Sequence, residues 1–466
     1  MNRFTRSALC SLAVSAGIAA ISPAPVQAAP LNILLILADD VGVEAFNSYG
    51  GTSYKTPNVT ALAQSGRQYN YCYATPLCSP SRNELMTGLY NFRNYESFDW
   101  LNPDTTTFAE VFKQHGYSTA MAGKWQLSAP DIKSVIRNHP HAPNVTAEVI
   151  RDQYGFDQYS LWQLNGRGSR YWDPVIEQNG KKLAVGKDDY GPDLQVKFIS
   201  DFMQNSVKDH KPFVAYYALE LPHDPFMPTP DSPGDRPRKH DPANFADDVA
   251  YADKLVGQLV KKVHDLGVDE ETLIIFVADN GTAQSITSQT THGPVRGDKG
   301  HLTDAGTHVP LIIRWTGKIK PGETSDRIVD FTDFFPTLLS AAGIVKPPEL
   351  KLDGKSLLGP DGGTGAPRET AYMWYDAKGR NSPTGEWARD TQFKLYADGR
   401  FFDTKLTPLE RAEDQLSPVA GSPAFEARVA LQKVLQGYQA QQTEEQKLLG
   451  LGKKSPTTSE APAGTD

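Results

Sequence analysis

The chain has 466 residues, with 47 Lys and Arg, 55 Asp and Glu, and three cysteines. At about 150 residues per domain, this length corresponds to roughly three domains, or to one large α/β domain with a smaller partner. The formal net charge of −8 argues against a nucleic-acid binder that is held by phosphate contacts. Three cysteines are too few for a disulfide framework or a cysteine-rich zinc module.

The first 28 residues have the pattern of a secretory signal peptide. Two arginines precede an apolar run at 8–21, and Val26-Gln27-Ala28 is a small-residue cleavage site. A transmembrane anchor is the alternative, but the apolar run is short for a bilayer and two prolines follow it. We therefore expect a periplasmic or secreted protein without stable membrane insertion.

Short apolar runs alternate with amphipathic segments from residue 31 onwards. The predicted strands are 32–38, 119–122, 213–219, 273–278 and 309–314. The predicted helices are 56–66, 79–87, 107–116, 193–206, 247–267 and 333–342. This alternation predicts an α/β fold with a mostly parallel central sheet that is flanked by helices.

A stretch rich in Pro and Gly at 347–365 marks a domain boundary. Beyond it, 370–375 and 393–403 predict antiparallel strands, and 423–448 predicts a helix that is capped by Ser422. We therefore divide the chain into a signal peptide (1–28), a large α/β domain (29–345), a small C-terminal α+β subdomain (346–450) and a disordered tail (451–466).

Four predicted strands end on polar residues, which are Asp39-Asp40, Gly123-Lys124, Pro222-His223-Asp224-Pro225 and Asp279-Asn280-Gly281. Each segment alone also fits a turn or a helix cap. Ligands of open parallel sheets lie at the carboxyl ends of the strands. Clustered carboxylates repel one another without a cation, and carboxylate and amide oxygens are the ligands that Ca²⁺ prefers. The pattern therefore predicts a calcium site beside an anion site, and no spacing favours zinc.

Cys78 lies in the segment Leu77-Cys78-Ser79-Pro80-Ser81-Arg82. Ser79 as a cap and Pro80 in the first turn predict a helix that begins beside Cys78. The helix dipole and Arg82 would then favour a thiolate. The alternative is a buried, inert cysteine, which fits Cys72 in its tyrosine-rich run.

These segments, taken in order, resemble the type I sulfatases of the alkaline phosphatase superfamily. The similarity runs from about residue 31 to 339 and rests on six motifs, among them Cys-x-Pro-Ser-Arg at 78–82, Gly-Lys-Trp at 123–125 and Arg-Gly-Asp-Lys-Gly at 296–300. The resemblance implies an alkaline-phosphatase-like fold and the oxidation of Cys78 to formylglycine by a separate maturation enzyme. It also implies the hydrolysis of an aryl or carbohydrate sulfate monoester with one Ca²⁺ ion.

The resemblance assigns roles to individual side chains. The expected catalytic residues are Cys78, Arg82, Lys124, His223 and Lys299, and the expected calcium ligands are Asp39, Asp40, Cys78, Asp279 and Asn280. Formylglycine at 78 would be the nucleophile, because the hydrate of an aldehyde can attack sulfur and later expel sulfate. Lys124 and Lys299 would bind sulfate oxygens, and His223 would protonate the leaving oxygen.

Gln126 departs from the family pattern, in which a histidine follows Gly-Lys-Trp and acts as the base for sulfate elimination. A glutamine is neutral and cannot be that base, although it can bind the substrate. Three alternatives remain open. Another group, with His292 or His301 as candidates, takes the proton when sulfate is eliminated. Otherwise the elimination step is slow, or the chemistry of the site has changed. His292 is also a candidate substrate contact. A second departure, Asp304, is interpreted as an acid that shapes its loop.

Three further observations leave alternatives open. The stretch that holds Trp162, Arg167, Arg170 and Trp172 fits a sugar or aryl pocket as well as surface packing. The same motifs would serve a phosphonate monoester hydrolase or phosphodiesterase of the same superfamily. A chain with an unmodified thiol at 78 would be a non-catalytic binder of sulfated glycans.

Overall fold

The computed structural model describes residues 30–128, 145–234, 237–376, 384–407 and 410–448. The predicted signal peptide and the predicted disordered tail lie outside these described residues. Among the helices that are described, none has the length and apolar character that a membrane crossing requires.

A ten-stranded sheet forms the centre of the large domain, in the order β12-β2-β11-β8-β1-β7-β3-β4-β5-β6. Its strands are β1 (Asn32–Ala38), β2 (Arg67–Tyr73), β3 (Ser118–Lys124), β4 (Gln158–Trp162), β5 (Ile176–Gln178), β6 (Lys181–Lys182), β7 (Phe213–Ala218), β8 (Thr272–Ala278), β11 (His308–Trp315) and β12 (Glu323–Asp330). The five strands from β8 to β4 are mutually parallel, and β11 runs antiparallel to both of its neighbours. A separate hairpin consists of β9 (Thr287–Thr290) and β10 (Gly293–Arg296).

Helices cover this sheet, and every residue of β1, β7 and β8 is buried between the covering layers. The helices of the large domain are α1 (Pro57–Ser65), α2 (Cys78–Thr87), α3 (Asn91–Asn94), α4 (Phe108–Gln114), α5 (Ala147–Asp152), α6 (Gly191–Lys208), α7 (Phe245–Asp265), α8 (Asp304–Thr307) and α9 (Phe334–Ala341). Strands buried on both faces read as continuous apolar runs, which is why the sequence reveals them so clearly.

The predicted α/β class is confirmed, and each of the five strands predicted for the large domain is present. Five strands of the central sheet, β2, β4, β5, β6 and β12, were not predicted. β2 has the sequence Arg-Gln-Tyr-Asn-Tyr-Cys-Tyr, which contains no aliphatic residue, and the first half of β12 is partly exposed at the edge of the sheet. Both therefore lack the apolar run by which strands are recognised.

The C-terminal subdomain contains an antiparallel sheet of β13 (Ala371–Tyr375), β14 (Gly385–Arg389), β15 (Phe393–Tyr396) and β16 (Phe401–Asp403). The predicted strand at 393–403 is therefore a hairpin of two strands. Helix α10 (Pro423–Leu448) packs against β14 and β15. As predicted, the hydroxyl of Ser422 caps this helix by accepting a hydrogen bond from the Phe425 amide at 3.2 Å.

A buried cluster of four charges joins the subdomain to the large domain. Asp304 at the start of α8 accepts hydrogen bonds at 2.5 and 2.6 Å from Nη1 of Arg389. Lys394 donates to Glu410 at 2.9 Å and to the carbonyl of Leu302 at 2.5 Å. Asp304 therefore has the structural role that the sequence suggested, because its carboxylate anchors β14 to the large domain. These four residues, Asp304, Arg389, Lys394 and Glu410, are called the interface cluster below.

Candidate active site

Three strands of the sheet, β8, β1 and β3, deliver polar and charged residues to one edge. Asp39 and Asp40 follow β1, Lys124 ends β3, and Asp279 and Asn280 follow β8. All five side chains are completely buried. The backbone joins these ends directly, since the Asp279 amide donates to the carbonyl of Ala38 at 3.0 Å and the Asp40 amide donates to the Asp279 carboxylate at 3.2 Å. We call this group, together with Arg82 and Lys299, the rim cluster.

A glycine permits the approach of β3 to β7 at this edge. Gly123 has a φ of 104°, and a Cβ atom added there would lie 1.9 Å from the carbonyl oxygen of Ala218. Only glycine fits this backbone and this distance. The residue before Lys124 therefore determines how closely the lysine can approach the acids of β1.

Helix α2 brings Cys78 to the rim cluster as its first residue. Ser79 is not the cap that the sequence predicts, because Leu77 occupies that position and no side chain caps the helix. The Ser79 hydroxyl donates instead to the Asp99 carboxylate at 3.1 Å. The expected thiolate is also wrong for this state. Cys78 is only 2% exposed, and burial raises the pKa of its thiol even though Lys124 opposes the shift.

The thiol of Cys78 donates to Oε1 of Gln126, and the two atoms are 2.9 Å apart. The position where the family has a histidine therefore touches residue 78 directly. Gln126 and Asp40 both have left-handed backbones, with φ angles of 54° and 65°. Such conformations cost roughly 1–3 kcal/mol and are concentrated at functional sites.

The acids of the rim cluster are paired with cations one by one. Lys124 donates to both oxygens of Asp39, at 2.9 and 2.7 Å. Arg82 donates to Asp279 at 3.1 and 2.8 Å, and also to the Lys124 carbonyl at 3.0 Å. Lys299 donates to Asp40. The loop segments that carry these residues are far apart in the chain, so only the tertiary fold forms the pairs.

These pairs give the three carboxyls different proton affinities. Burial raises the pKa of Asp279 to about 7, and the charge of Asp39 contributes to the same shift. Burial also raises the pKa of Asp40, against the effect of Lys299. For Asp39, burial is outweighed by Lys124 and Arg82, which lower its pKa. Carboxyls with lowered and raised pKa values therefore lie side by side, as in sites that hold a cation or move a proton.

The donor set fits a hard cation. Asn280 donates through Nδ2 to Asp40 at 2.8 Å, while its buried Oδ1 has no hydrogen-bond partner among the described residues. Ligand atoms of Asp39, Cys78 and Asp279 lie within 4.8 Å of one another, and so do those of Asp39, Asp40 and His223. An orphaned buried amide oxygen beside carboxylates is the kind of ligand that a calcium ion takes.

His223 lies at the edge of the rim cluster. Its Nε2 is 3.2 Å from Nζ of Lys299 and 3.3 Å from the Asp40 carboxylate, and its Nδ1 is 2.6 Å from the Asp224 carbonyl. Burial, with Lys299 and Arg170 adding to it, lowers the pKa of His223 well below its usual range. The ring is therefore neutral without an anionic ligand, and the expected proton donor needs the charge of a bound substrate to become protonated.

His292 is not brought to this site. It occupies the exposed turn between β9 and β10 and lines a separate groove of about 800 Å³ beside the subdomain, with Glu44, Tyr73 and Arg389 on its walls. None of the expected catalytic residues lines that groove. His301, the other candidate base, lies 2.9 Å from the Asp298 carboxylate and is half exposed.

Two further residues lie near the rim: Arg170, which the sequence placed in a stretch that fits a pocket or surface packing, and Glu220, which it did not identify. Arg170 lies 3.8 Å from the Asp39 carboxylate. Glu220, just beyond β7, is fully buried, accepts a hydrogen bond from Gln195 at 2.8 Å, and has a pKa that burial raises to about 7. The alternation of arginine and tryptophan after β4 was the only signal for Arg170, and Glu220 had none.

Comparison with known proteins identifies the class. The sequence matches the family Sulfatase over residues 31–344 and the family N-sulphoglucosamine sulphohydrolase, C-terminal, over residues 295–409. Arylsulfatase A of Bos taurus is 32% identical over 400 residues, which cover 78% of this chain and 73% of that protein. N-acetylgalactosamine-6-sulfatase of Canis lupus familiaris is 28% identical over 355 residues, which cover 71% of this chain and 65% of that protein.

Solved structures share the fold. The crystal structure of Ps i-CgsB in complex with k-i-k-neocarrahexaose superposes with a TM-score of 0.71 at 23% identity, covering 89% of this chain and 93% of that chain. The chain therefore belongs to the sulfatase family of the alkaline phosphatase superfamily, and the resemblance predicted from its motifs is confirmed. It is a sulfuric ester hydrolase, which the family membership and the named relatives support.

Proposed function

We propose that the protein hydrolyses an aryl or carbohydrate sulfate monoester to an alcohol and inorganic sulfate, with formylglycine at position 78 and one calcium ion. The observation that carries the proposal is the rim cluster itself. Three buried acids are each paired with a cation, and ligand atoms of two of them, Asp39 and Asp279, lie within 4.8 Å of that of residue 78. Oδ1 of Asn280 has no hydrogen-bond partner among the described residues. This arrangement offers a cation site and an anion site in contact with one nucleophile.

Asp39, Asp40, Asp279, Asn280 and residue 78 would hold the calcium ion. Bound there, the ion would supply Lewis acidity for a sulfate oxygen. Formylglycine, once formed, would supply a hydrated aldehyde as the nucleophile. The rim cluster fits the cation because the carboxylate oxygens lie close together and Oδ1 of Asn280, which has no hydrogen-bond partner among the described residues, adds an amide ligand.

The remaining residues of the site act on the substrate and on residue 78. Lys124 and Lys299 provide fixed positive charge next to residue 78, which stabilises the charge that develops on sulfate oxygens. His223, which is neutral in the free protein, becomes the proton donor to the leaving oxygen when the substrate anion raises its pKa. Arg82 keeps Asp279 in place and balances its charge.

Gln126 contacts residue 78 but cannot accept a proton from it. Replacing it in the mature protein, Gln126→His, therefore provides a base at the step in which sulfate is released. We expect a faster sulfate release and a new ionisation near neutral pH in the kcat profile. A variant with the parent's pH profile and release rate would show that position 126 does not act at this step.

Maturation and export complete the proposal. Because Cys78 is 2% exposed in the folded protein, a maturation enzyme would need to reach it before the large domain closes. The free cysteine would then meet that enzyme during export or before it, and the signal peptide would direct the product to the periplasm or outside the cell. Mass spectrometry of the peptide that contains residue 78 tests this step, since conversion to formylglycine makes the peptide lighter.

The substrate class rests on the relatives. The two relatives are an arylsulfatase and an N-acetylgalactosamine-6-sulfatase, so both aryl and carbohydrate sulfates are proposed as substrates. The experiment is a paired assay of the mature protein on an aryl sulfate and the matching aryl phosphonate monoester, followed by a screen of sulfated mono- and oligosaccharides. Phosphonate hydrolysis that exceeds sulfate hydrolysis by orders of magnitude would overturn the proposal. The proposal would also be overturned if Cys78 kept an intact thiol in protein that is produced together with a competent maturation enzyme.

A further inference from the structure

Arg170 is a cation at the rim that has an ion-pair contact with Asp39 but, among the described residues, no hydrogen-bond partner for its Nη1 atom. It lies in the segment between β4 and β5, and its side chain is 12% exposed. Nη1 is 3.8 Å from the Asp39 carboxylate, beyond hydrogen-bond distance, and is buried without a hydrogen-bond partner among the described residues. A buried donor left in this way costs roughly 1–3 kcal/mol, which calls for a compensating ligand.

The side chain is held in place by packing. The guanidinium carbon lies 4.0 Å from the ring centroid of Trp162, the last residue of β4. That residue pairs with Lys124 across the sheet. Arg170 therefore stacks on a wall of the same site that contains the lysine, and its direction is fixed before any ligand binds.

The backbone of this segment is fixed from both sides as well. The Tyr171 hydroxyl donates to the carbonyls of Glu220 and His223, at 2.9 and 2.5 Å. The Gly191 amide donates to the Tyr171 carbonyl at 2.7 Å, and a Cβ atom on Gly191 would lie 2.0 Å from the Arg170 carbonyl. The position of Arg170 is thus coupled to the loop that carries His223 and to the start of α6.

Another arginine that stacks on tryptophan shows what a structural role looks like. Arg238 stacks on Trp172 at 3.8 Å, and it donates at 2.7 Å to the Lys187 carbonyl and at 3.0 Å to the Asp188 carboxylate. Its guanidinium is satisfied by the protein. The guanidinium of Arg170 has the same stacking without these partners, so packing alone does not explain why it points at the rim.

The charge balance indicates what the missing partner is. Arg82, Lys124 and Lys299 are each matched by one acid of the rim cluster. Arg170 is a further positive charge beside Asp39, and a bound divalent cation would add to it. An excess of positive charge in a buried site favours an anionic ligand.

We propose that Arg170 is a substrate-binding residue that donates to an oxygen of the ester's sulfate group. This inference rests on the proposed function and adds a contact that the family motifs do not contain. The planar fork of an arginine suits two oxygens of a tetrahedral anion better than the point charge of a lysine does.

The test uses the mature, calcium-loaded protein with inorganic sulfate as the probe. Calorimetry gives the dissociation constant of sulfate, and an aryl sulfate gives kcat/KM. For Arg170→Met we expect sulfate to bind about ten- to a hundredfold more weakly, with a similar loss in kcat/KM, because one charge-assisted hydrogen bond is removed. Arg238→Met, which removes the satisfied stacking arginine, is the matched control and should leave both values unchanged.

The outcomes separate this inference from the proposed function. If the parent hydrolyses sulfate esters and a folded Arg170→Met protein binds sulfate as tightly as the parent, Arg170 is not a sulfate ligand. Arg170→Gln repeats the test if the methionine variant does not fold, with the same expectation. If the parent neither binds sulfate nor hydrolyses its esters, the proposed function is wrong and this inference is overturned with it.

Discussion

Two buried clusters of charge stand in contrast in this protein. In the interface cluster, Asp304 and Glu410 face Arg389 and Lys394, and the spare donors are also used, since Arg389 donates to Thr404 at 2.8 Å. None of the side-chain N or O atoms of these four residues is among the buried atoms without a partner in the described part of the chain. The protein alone satisfies this cluster.

The rim cluster is built from the same residue types but is left incomplete. Among the described residues, Oδ1 of Asn280 and Nη1 of the neighbouring Arg170 have no hydrogen-bond partner. Burying unpaired polar groups lowers stability, so their presence indicates ligands that complete the set. The contrast indicates that a charge cluster whose polar atoms are all hydrogen-bonded holds two parts of a protein together, whereas a cluster with unpartnered polar atoms binds a ligand.

The largest expected effect is the difference in kcat between variants of the two buried cysteines. Of these two, only Cys78 lies beside the rim cluster. Cys78→Ala should reduce kcat by at least about 10⁴-fold, because the nucleophile is lost. Cys72→Ala should leave kcat unchanged and cost about 1 kcal/mol in the free energy of unfolding. Steady-state kinetics on an aryl sulfate and urea unfolding measure both. An active Cys78→Ala protein would contradict the proposed nucleophile.

The next effect concerns the interface cluster. Arg389→Met leaves the buried Asp304 without its main partner and should lower the free energy of unfolding by about 3–5 kcal/mol. The folded variant should keep kcat/KM within about threefold, because Arg389 contacts none of the rim residues. Arg400→Met, at an exposed pair 2.9 Å from Asp398, is the control and should cost less than about 1 kcal/mol. A stable Arg389→Met protein would show that the cluster does not hold the subdomain.

The raised pKa of Glu220, the buried acid beside the rim cluster, should appear in how the free energy of unfolding depends on pH. Burial raises the pKa of Glu220 from 4.5 to about 7. The folded state therefore keeps a proton that the unfolded chain has released, so this group's stabilisation is complete below the unfolded pKa and is lost as the pH rises through 7. Glu220→Gln removes that loss, and its stability relative to the parent should rise by about 2–3 kcal/mol between pH 5 and pH 8.

Urea unfolding at the two pH values measures this difference. Glu349→Gln, at an exposed position, is the control and should show the same pH dependence as the parent. A Glu220→Gln protein that also follows the parent would mean that Glu220 is ionised in the folded state at neutral pH.

The smallest expected effect is the response to calcium. At about ten times its dissociation constant, calcium should add about 1.4 kcal/mol to the free energy of unfolding, and a chelator should remove this gain. Asn280→Ala, which removes the unpaired oxygen, should reduce the gain, whereas Arg389→Met should retain it in full. A gain that Asn280→Ala leaves intact would place the cation elsewhere.

The sequence determined the strands that are buried on both faces and the motifs that follow them. Continuous apolar runs predicted β1, β7, β8 and β11, because a strand between two helical layers has no polar side. The same pattern could not reveal β2, whose tyrosines and polar residues suit a strand near the edge. Family motifs then supplied the residues of the rim, since their order along the chain is specific even where each motif alone is not.

Only the tertiary structure decided which charges are paired and which are left over. Pairing depends on distances between segments that are hundreds of residues apart, such as Lys299 and Asp40, and no local pattern encodes them. Burial depends on the same packing, and it makes Cys78 a neutral thiol although its helix position suggested a thiolate. That Oδ1 of Asn280 and Nη1 of Arg170 lack a hydrogen-bond partner among the described residues is likewise a result of packing, because it depends on all the groups that surround these atoms.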